Sequence, residues 1–131
     1  MNRTIFLLSV LFLATSCDDS SSVSGPTTSS SYTFVACEGN FGASDGTVYV
    51  IDEYGNTSNI GSLGDVVQSV EVSGDKLFVI VNNSHRIMVY DISETGISEP
   101  GIEVQTGNSS PREMVVLNNK VYFTNWNTLD V

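Results

Sequence analysis

An unbroken run of five apolar residues, Leu77 to Val81, follows a polar turn at residues 73–75. Three of its members are β-branched, and a Ser-Gly-Asp turn precedes it, so the run favours a β-strand over a helix. A strand that is apolar at consecutive positions has no polar face. We therefore expect this strand to be covered on both sides.

The same strand belongs to a unit that recurs 44 residues later, the spacing between Lys76 and Lys120. Residues 75–87, DKLFVIVNNSHRI, align without a gap on residues 119–131, NKVYFTNWNTLDV. Residues 67–75, VQSVEVSGD, align in the same way on residues 111–119, PREMVVLNN, and they end in a Gly-Asp and an Asn-Asn turn, respectively. Gly and Asn tolerate the positive φ of tight hairpins, so the unit is predicted to be strand, hairpin, strand.

An incomplete copy of the unit comes first in the chain. Residues 34–37 align with residues 78–81, and GTVYVID, residues 46–52, resembles RIMVYDI, residues 86–92. No counterpart of the first strand of the unit is found, because a serine-rich segment occupies its place.

A repeat of several short strands with this period predicts an all-β fold, a β-propeller of four-stranded antiparallel blades. Each blade packs on both neighbours, which explains the apolar strand. The predicted blades span residues 32–60, 65–104 and 111–131, the last one incomplete. Propellers have roughly four to eight blades, so about two and a half indicate the N-terminal part of a longer protein. A β-sandwich is the alternative, and it predicts strands with one wet face.

The beginning of the chain has the composition of an export signal. Residues 1–16 contain one basic residue and then an apolar run of about ten residues, half of the roughly 20 that cross a bilayer. The small residues ATS before Cys17 resemble the lipobox of bacterial lipoproteins, which implies cleavage before Cys17 and its lipidation. Two aspartates follow and resemble a surface-export signal of some Gram-negative lineages, whereas in other lineages an aspartate at this place signals retention in the inner membrane. Residues 17–31, rich in Ser and Thr, are predicted to be a flexible tether.

Charge and cysteine content narrow the functional classes. The formal net charge is −10, and the chain lacks the basic clusters that a nucleic-acid partner requires. Lipidation of Cys17 leaves Cys37 without a partner, so no internal disulfide is expected. His85 is the single histidine, and we expect no metal site, no cofactor and no catalytic constellation among these residues.

Several longer strings identify a family. YFTN, residues 122–125, resembles the YVTN family of bacterial seven-bladed propellers. EGNFG (38–42), VIVNNSHRI (79–87) and PREMVVLNNKVYFTNW (111–126) are similar to a branch of surface lipoproteins from Bacteroidetes-type bacteria. This resemblance covers nearly all of the chain after the tether. It implies a ring of seven blades, the last four of which are absent here.

The resemblance also carries an expectation about function. Some members of this branch capture corrinoids above a TonB-dependent transporter, which implies an outer-membrane lipoprotein that faces the cell exterior and binds a ligand or partner for uptake. Two other functions stay open: a propeller enzyme of the lactonase or quinoprotein type with catalytic residues in the missing blades, and a structural or adhesive surface protein. Blade motifs identify a fold better than a ligand.

Ligands of propellers meet the loops between the second and third strands of each blade and the connections between blades. Here those loops combine Asn and Gly with single aromatic residues, which suits an uncharged or amide-rich molecule. The candidate ligand-binding residues are Asn40, Phe41, Asn83, Arg112 and Trp126.

Each candidate also has a structural interpretation. Asn83 recurs as Asn127, which favours a turn role. Trp126 could simply pack on the fold, Arg112 could pair with a nearby carboxylate, and Phe41 could plug the ring. His85 is expected to face solvent.

Overall fold

The computed structural model describes residues 30–127, which form an all-β structure without helices. Every pairing between its strands is antiparallel. The strands are β1 Thr33–Cys37, β2 Thr47–Ile51, β3 Thr57–Asn59, β4 Val67–Ser73, β5 Lys76–Val81, β6 Arg86–Ser93, β7 Gly96–Ile97, β8 Ile102–Gln105, β9 Pro111–Leu117 and β10 Lys120–Asn125.

Several predictions concern residues outside this range. The predicted signal peptide at residues 1–16, Cys17, nearly all of the tether and the last four residues of the chain lie outside the described residues. Within residues 30–127 no helix is long and apolar enough to span a membrane.

The strands form three sheets in succession along the chain. Sheet 1 has the order β1-β2-β3, and sheet 3 contains β9 and β10. Sheet 2 has the order β4-β5-β6, and the free edge of β6 is shared by two short strands. β8 pairs with residues 86–89 of β6, and β7 pairs with residues 92–93. Sheet 2 is therefore four strands wide along its length.

The strand boundaries follow the period of the sequence. β9 and β10 begin and end 44 residues after β4 and β5, respectively. The two hairpin turns have the positive φ that their residues predict: 59° at Gly74, 51° at Asn118 and 58° at Asn119. The predicted unit of strand, hairpin and strand is confirmed at both places.

The alignment of β2 with β6 was wrong by one residue. Phe34 pairs with Val50, and its repeat counterpart Phe78 pairs with Val89. Val50 therefore corresponds to Val89, whereas the sequence alignment placed it on Tyr90. The connection after β1 is longer than the one after β5, so similarity alone did not fix the strand register. The error matters because a slip of one residue exchanges the two faces of a strand.

Both faces of β5 are covered, as its apolar run predicts. Leu77, Val79 and Val81 are fully buried in the core between sheets 1 and 2. Ile80 points to the opposite face, is also fully buried and pairs with the buried Ile87 of β6. On that side β9 lies against β4 and β5. The middle sheet is thus enclosed by both neighbours, unlike a strand with one wet face.

The outer faces of the first and last sheets are bare within residues 30–127. On sheet 3 the side chains of Val115, Leu117 and Tyr122 are each about half exposed, and on sheet 1 Val35 and Tyr49 are exposed to a lesser degree. The three sheets of the described residues therefore do not close on themselves.

Candidate functional site

The strands β1, β5 and β10 are repeat counterparts, so the loops that follow them lie at the same end of the three sheets. The two connections between the sheets reach this end as well. We call it the loop end, which comprises residues 38–46, 60–66, 82–85, 106–110 and 126–127. All five candidate residues lie on it or directly beside it.

Asp65 joins three segments of the loop end. Its residue surface is only 6% exposed. The carboxylate accepts hydrogen bonds from the backbone N–H of Gly42, at 2.9 Å, and from Nδ2 of Asn83. Its own backbone N–H donates to Oγ of Ser84, at 2.9 Å. A buried carboxylate requires such donors, so Asp65 ties the first loop to the turn after β5.

Asn40 closes the first loop on itself. Its backbone N–H and its Nδ2 donate to the two carboxylate oxygens of Asp45, at 2.7 and 2.8 Å. Hydrogen bonds from the side chain and then the backbone of Asn40 stabilise the ionised form, which lowers the pKa of Asp45 from its usual 3.8. Phe41 follows directly and is 82% exposed. It does not pack on the sheets as a plug would.

Asn83 occupies a position that the repeat uses for a turn. Its backbone N–H donates to the carbonyl oxygen of Asp65 at 3.2 Å, and that of Asn127 donates to Ser109 at 3.0 Å. The two bonds are repeat counterparts. The side chain of Asn83 also donates to Asp65, so both its backbone and its side chain stabilise the turn. Ligand binding by Asn83 stays a prediction.

Arg112 and Trp126, named separately from the sequence, are brought together. The guanidinium Cζ of Arg112 lies 4.7 Å from the centroid of the Trp126 ring, a cation–π contact. Arg112 lies in a β-bulge, where the pairing of β9 with β10 shifts, and bulges redirect side chains. Within residues 30–127 no carboxylate lies within 4.0 Å of it. The alternative that Arg112 pairs with a nearby carboxylate is therefore not seen among the described residues, where the guanidinium lies beside the indole ring.

The backbone around this pair is fixed from two sides. The carbonyl oxygen of Ser110 accepts a hydrogen bond from the N–H of Trp126 at 3.0 Å. The carbonyl oxygen of Pro111 accepts one from Nδ2 of the buried Asn82 at 2.7 Å. These bonds anchor both strand ends, so Arg112 and Trp126 project from a defined position while Trp126 remains 70% exposed.

His85 does not simply face solvent, and that prediction was wrong. The residue is half-buried, and its Nδ1 accepts a hydrogen bond from the backbone N–H of Ser110 at 3.1 Å. His85 therefore links the turn after β5 to the connection that precedes β9.

A groove lies away from these residues. It has a volume of about 560 Å³ and is found between β3 and the β6–β7 hairpin, where Tyr32, Asp52, Asn56 and Glu94 contribute to its walls. None of the five candidate residues lines it. In the described part of the chain no three His, Cys, Asp or Glu residues lie close enough together to hold a metal ion.

The candidate residues fall into two groups. The side chains of Asn40 and Asn83 are held by carboxylates of the chain itself. Phe41 and Trp126 are exposed to solvent, and the guanidinium of Arg112 lies over the Trp126 ring. Asp65 and Ser110, which organise the loop end, were not identified from the sequence. A scan of protein-family models finds no match to this chain, and neither does a search of curated proteins.

Proposed function

We propose that this chain is part of a lipid-anchored β-propeller of the outer membrane, whose loop end captures a ligand or partner for uptake. Three successive sheets at the repeat spacing, with the middle one enclosed, support reading them as blades. The lipobox before Cys17 and the tether support an anchored protein that faces the cell exterior. The family strings support a ring of seven blades.

One observation carries the binding function. Two large aromatic side chains, Phe41 and Trp126, project from the same end into solvent. Exposed aromatic rings on otherwise polar loops are typical of binding surfaces, because they supply contact area with few rotatable bonds. The loops beneath them are held by Asp45, Asp65 and Ser110, so little conformational freedom would be lost on binding.

A corrinoid is the sharpest candidate ligand. The resemblance points to it, and its flat ring and amide side chains match the aromatic and amide groups of the loop end. Delivery to a TonB-dependent transporter would then explain a surface location.

The test is calorimetric titration of the full chain with cyanocobalamin. We expect saturable binding at micromolar concentration or below, weakened about tenfold or more by Phe41→Ala and by Trp126→Ala. Tyr54→Ala is the matched control, since Tyr54 is an 81% exposed aromatic residue in the β2–β3 turn at the opposite end. Absence of saturable binding would exclude the corrinoid as the ligand. If neither Phe41→Ala nor Trp126→Ala weakened binding, the loop end would be excluded as the binding site.

A further inference from the structure

We propose that Arg112 and Trp126 form a subsite for a flat ring that carries a negatively charged group, namely a carboxylate or phosphate linked to the ring directly or through a short chain. This inference rests on the proposed binding role of the loop end and specifies the chemistry it selects. Loop composition alone predicts an uncharged or amide-rich ligand, and this inference replaces the uncharged ligand by one with a negatively charged group.

The charge distribution singles out Arg112. Among the cations of residues 30–127, Nζ of Lys76 lies 2.8 Å from Asp91, and Nη1 of Arg86 lies 2.8 Å from Glu103. Lys120 begins β10 and so lies at the opposite end of the sheet. Arg112 is therefore the cation at the loop end that has no carboxylate neighbour in the described part of the chain. An anion approaching this otherwise acidic protein would be attracted there.

The geometry lets one guanidinium make two contacts at once. Its Cζ lies over the Trp126 ring, 4.7 Å from the centroid. The five N–H donors of a guanidinium lie in its plane, so its edge can still bind a carboxylate or phosphate in bidentate fashion. With Trp126 largely exposed, the ring face opposite Arg112 is open to stacking.

The repeat indicates that this pair is not needed to build the fold. The counterparts of Arg112 and Trp126 in sheet 2 are Gln68 and Asn82. Asn82 is buried and donates to the carbonyl oxygen of Pro111, so it supports the next sheet. The same backbone turn thus forms around a small amide. Trp126 places a ring, 70% exposed among the described residues, at a position where the fold accepts Asn.

Quenching of fluorescence tests the charge at this position directly, because Trp126 is the only tryptophan of the chain. With each quenching constant normalised to that of free N-acetyltryptophanamide, we expect iodide to quench the full chain more efficiently than caesium, although the net charge is −10. Arg112→Gln should reverse that order, and Arg112→Lys should retain it in part, since it keeps the charge without the flat contact. Lys120→Gln, a matched loss of one charge, should leave the ratio unchanged. Quenching by caesium that equals or exceeds quenching by iodide would overturn the proposal.

Equilibrium dialysis with two flavins tests the ligand chemistry. Flavin mononucleotide and riboflavin share one flat ring and differ in a phosphate. We expect the phosphorylated form to bind about tenfold more tightly at low salt, the contribution of one charge-assisted contact, and to lose that advantage in Arg112→Gln. Equal binding of the two flavins, or no binding of either, would contradict the subsite. A phosphate preference without cyanocobalamin binding would exclude the corrinoid and support this inference. Cyanocobalamin binding without a phosphate preference would support the corrinoid and exclude this inference.

Discussion

Burial of the Asp65 carboxylate is favourable only because N–H donors from two different loops reach it. Removing the carboxylate would leave the backbone N–H of Gly42 and the amide of Asn83 without their acceptor. Two parts of the loop end would then be free to separate, although neither part contains the changed residue.

Asp65→Ala is therefore expected to lower the free energy of unfolding by about 1–3 kcal/mol. The measurement is urea denaturation followed by circular dichroism. Glu53→Ala is the control, since Glu53 is exposed in the β2–β3 turn and its removal should change stability by less than about 0.5 kcal/mol. Similar losses in the two variants would mean that the bonds to Asp65 do not stabilise the fold.

Some of these single-residue roles could be predicted from the sequence and others could not. The turn residues Gly74, Asn118 and Asn119 were predictable because the required positive φ is a property of the residue itself. The roles of Asp65 and His85 depend on which connections lie side by side, and no local pattern encodes that. Arg112 and Trp126 were both named, but their contact depends on a bulge whose position follows from strand pairing.

At the scale of elements, β5 is the strand on which the packing depends most. Its two faces are buried against different sheets, so a cavity on either face would lower the stability of the fold. Ile80 lies on the face opposite the larger core and pairs with the buried Ile87.

We expect Ile80→Ala to destabilise the chain by about 2–5 kcal/mol, the range for truncating a buried Ile. Ile102→Ala makes the same chemical change on β8, where the side chain is 68% exposed, and should cost less than about 0.5 kcal/mol. Guanidinium denaturation of both variants gives the comparison. A loss at Ile80 as small as that at Ile102 would show that sheet 3 does not cover this face.

The existence of individual strands could be predicted more reliably than the alignment of one strand with its repeat counterpart. β5 and β10 were identified because an apolar run next to a tight turn has few other interpretations. The match of β2 to β6 failed by one residue, because short strands of Val, Ile and Tyr resemble each other in either register. Only the observed pairing of Phe34 with Val50 decides it.

On the scale of the whole molecule, the described residues are a stack of sheets with two uncovered faces. Sheet 3 has apolar side chains on its outer face. In sheet 2, the positions that correspond to them in the repeat are covered by sheet 3. Such a face is expected to bind hydrophobic molecules from solution.

Anilinonaphthalene sulfonate should therefore bind the full chain with enhanced fluorescence, and Val115→Thr with Tyr122→Ser should reduce the signal by at least half. Tyr54→Ser removes a ring that is more exposed but isolated in a turn, so it should leave the signal unchanged. Unaltered fluorescence in the double variant would mean that this face is covered in solution.

The order of the sheets along the chain followed from the sequence period, whereas the residue contacts between sheets did not. Periodicity places similar units one after another, and the apolar run of β5 requires a neighbour on each side. Closure into a ring, lipidation at Cys17 and the transporter partner stay predictions, since they concern groups outside residues 30–127.

The bulge that carries Arg112 has a consequence for how such a protein can be modified. Asn82 and Trp126 occupy the same place in consecutive units, and among the described residues Asn82 is the one that bonds to a following sheet. A designer could therefore exchange Trp126 and Arg112 for other side chains and alter what the protein recognises, while the same exchange at Asn82 would loosen the adjoining sheet.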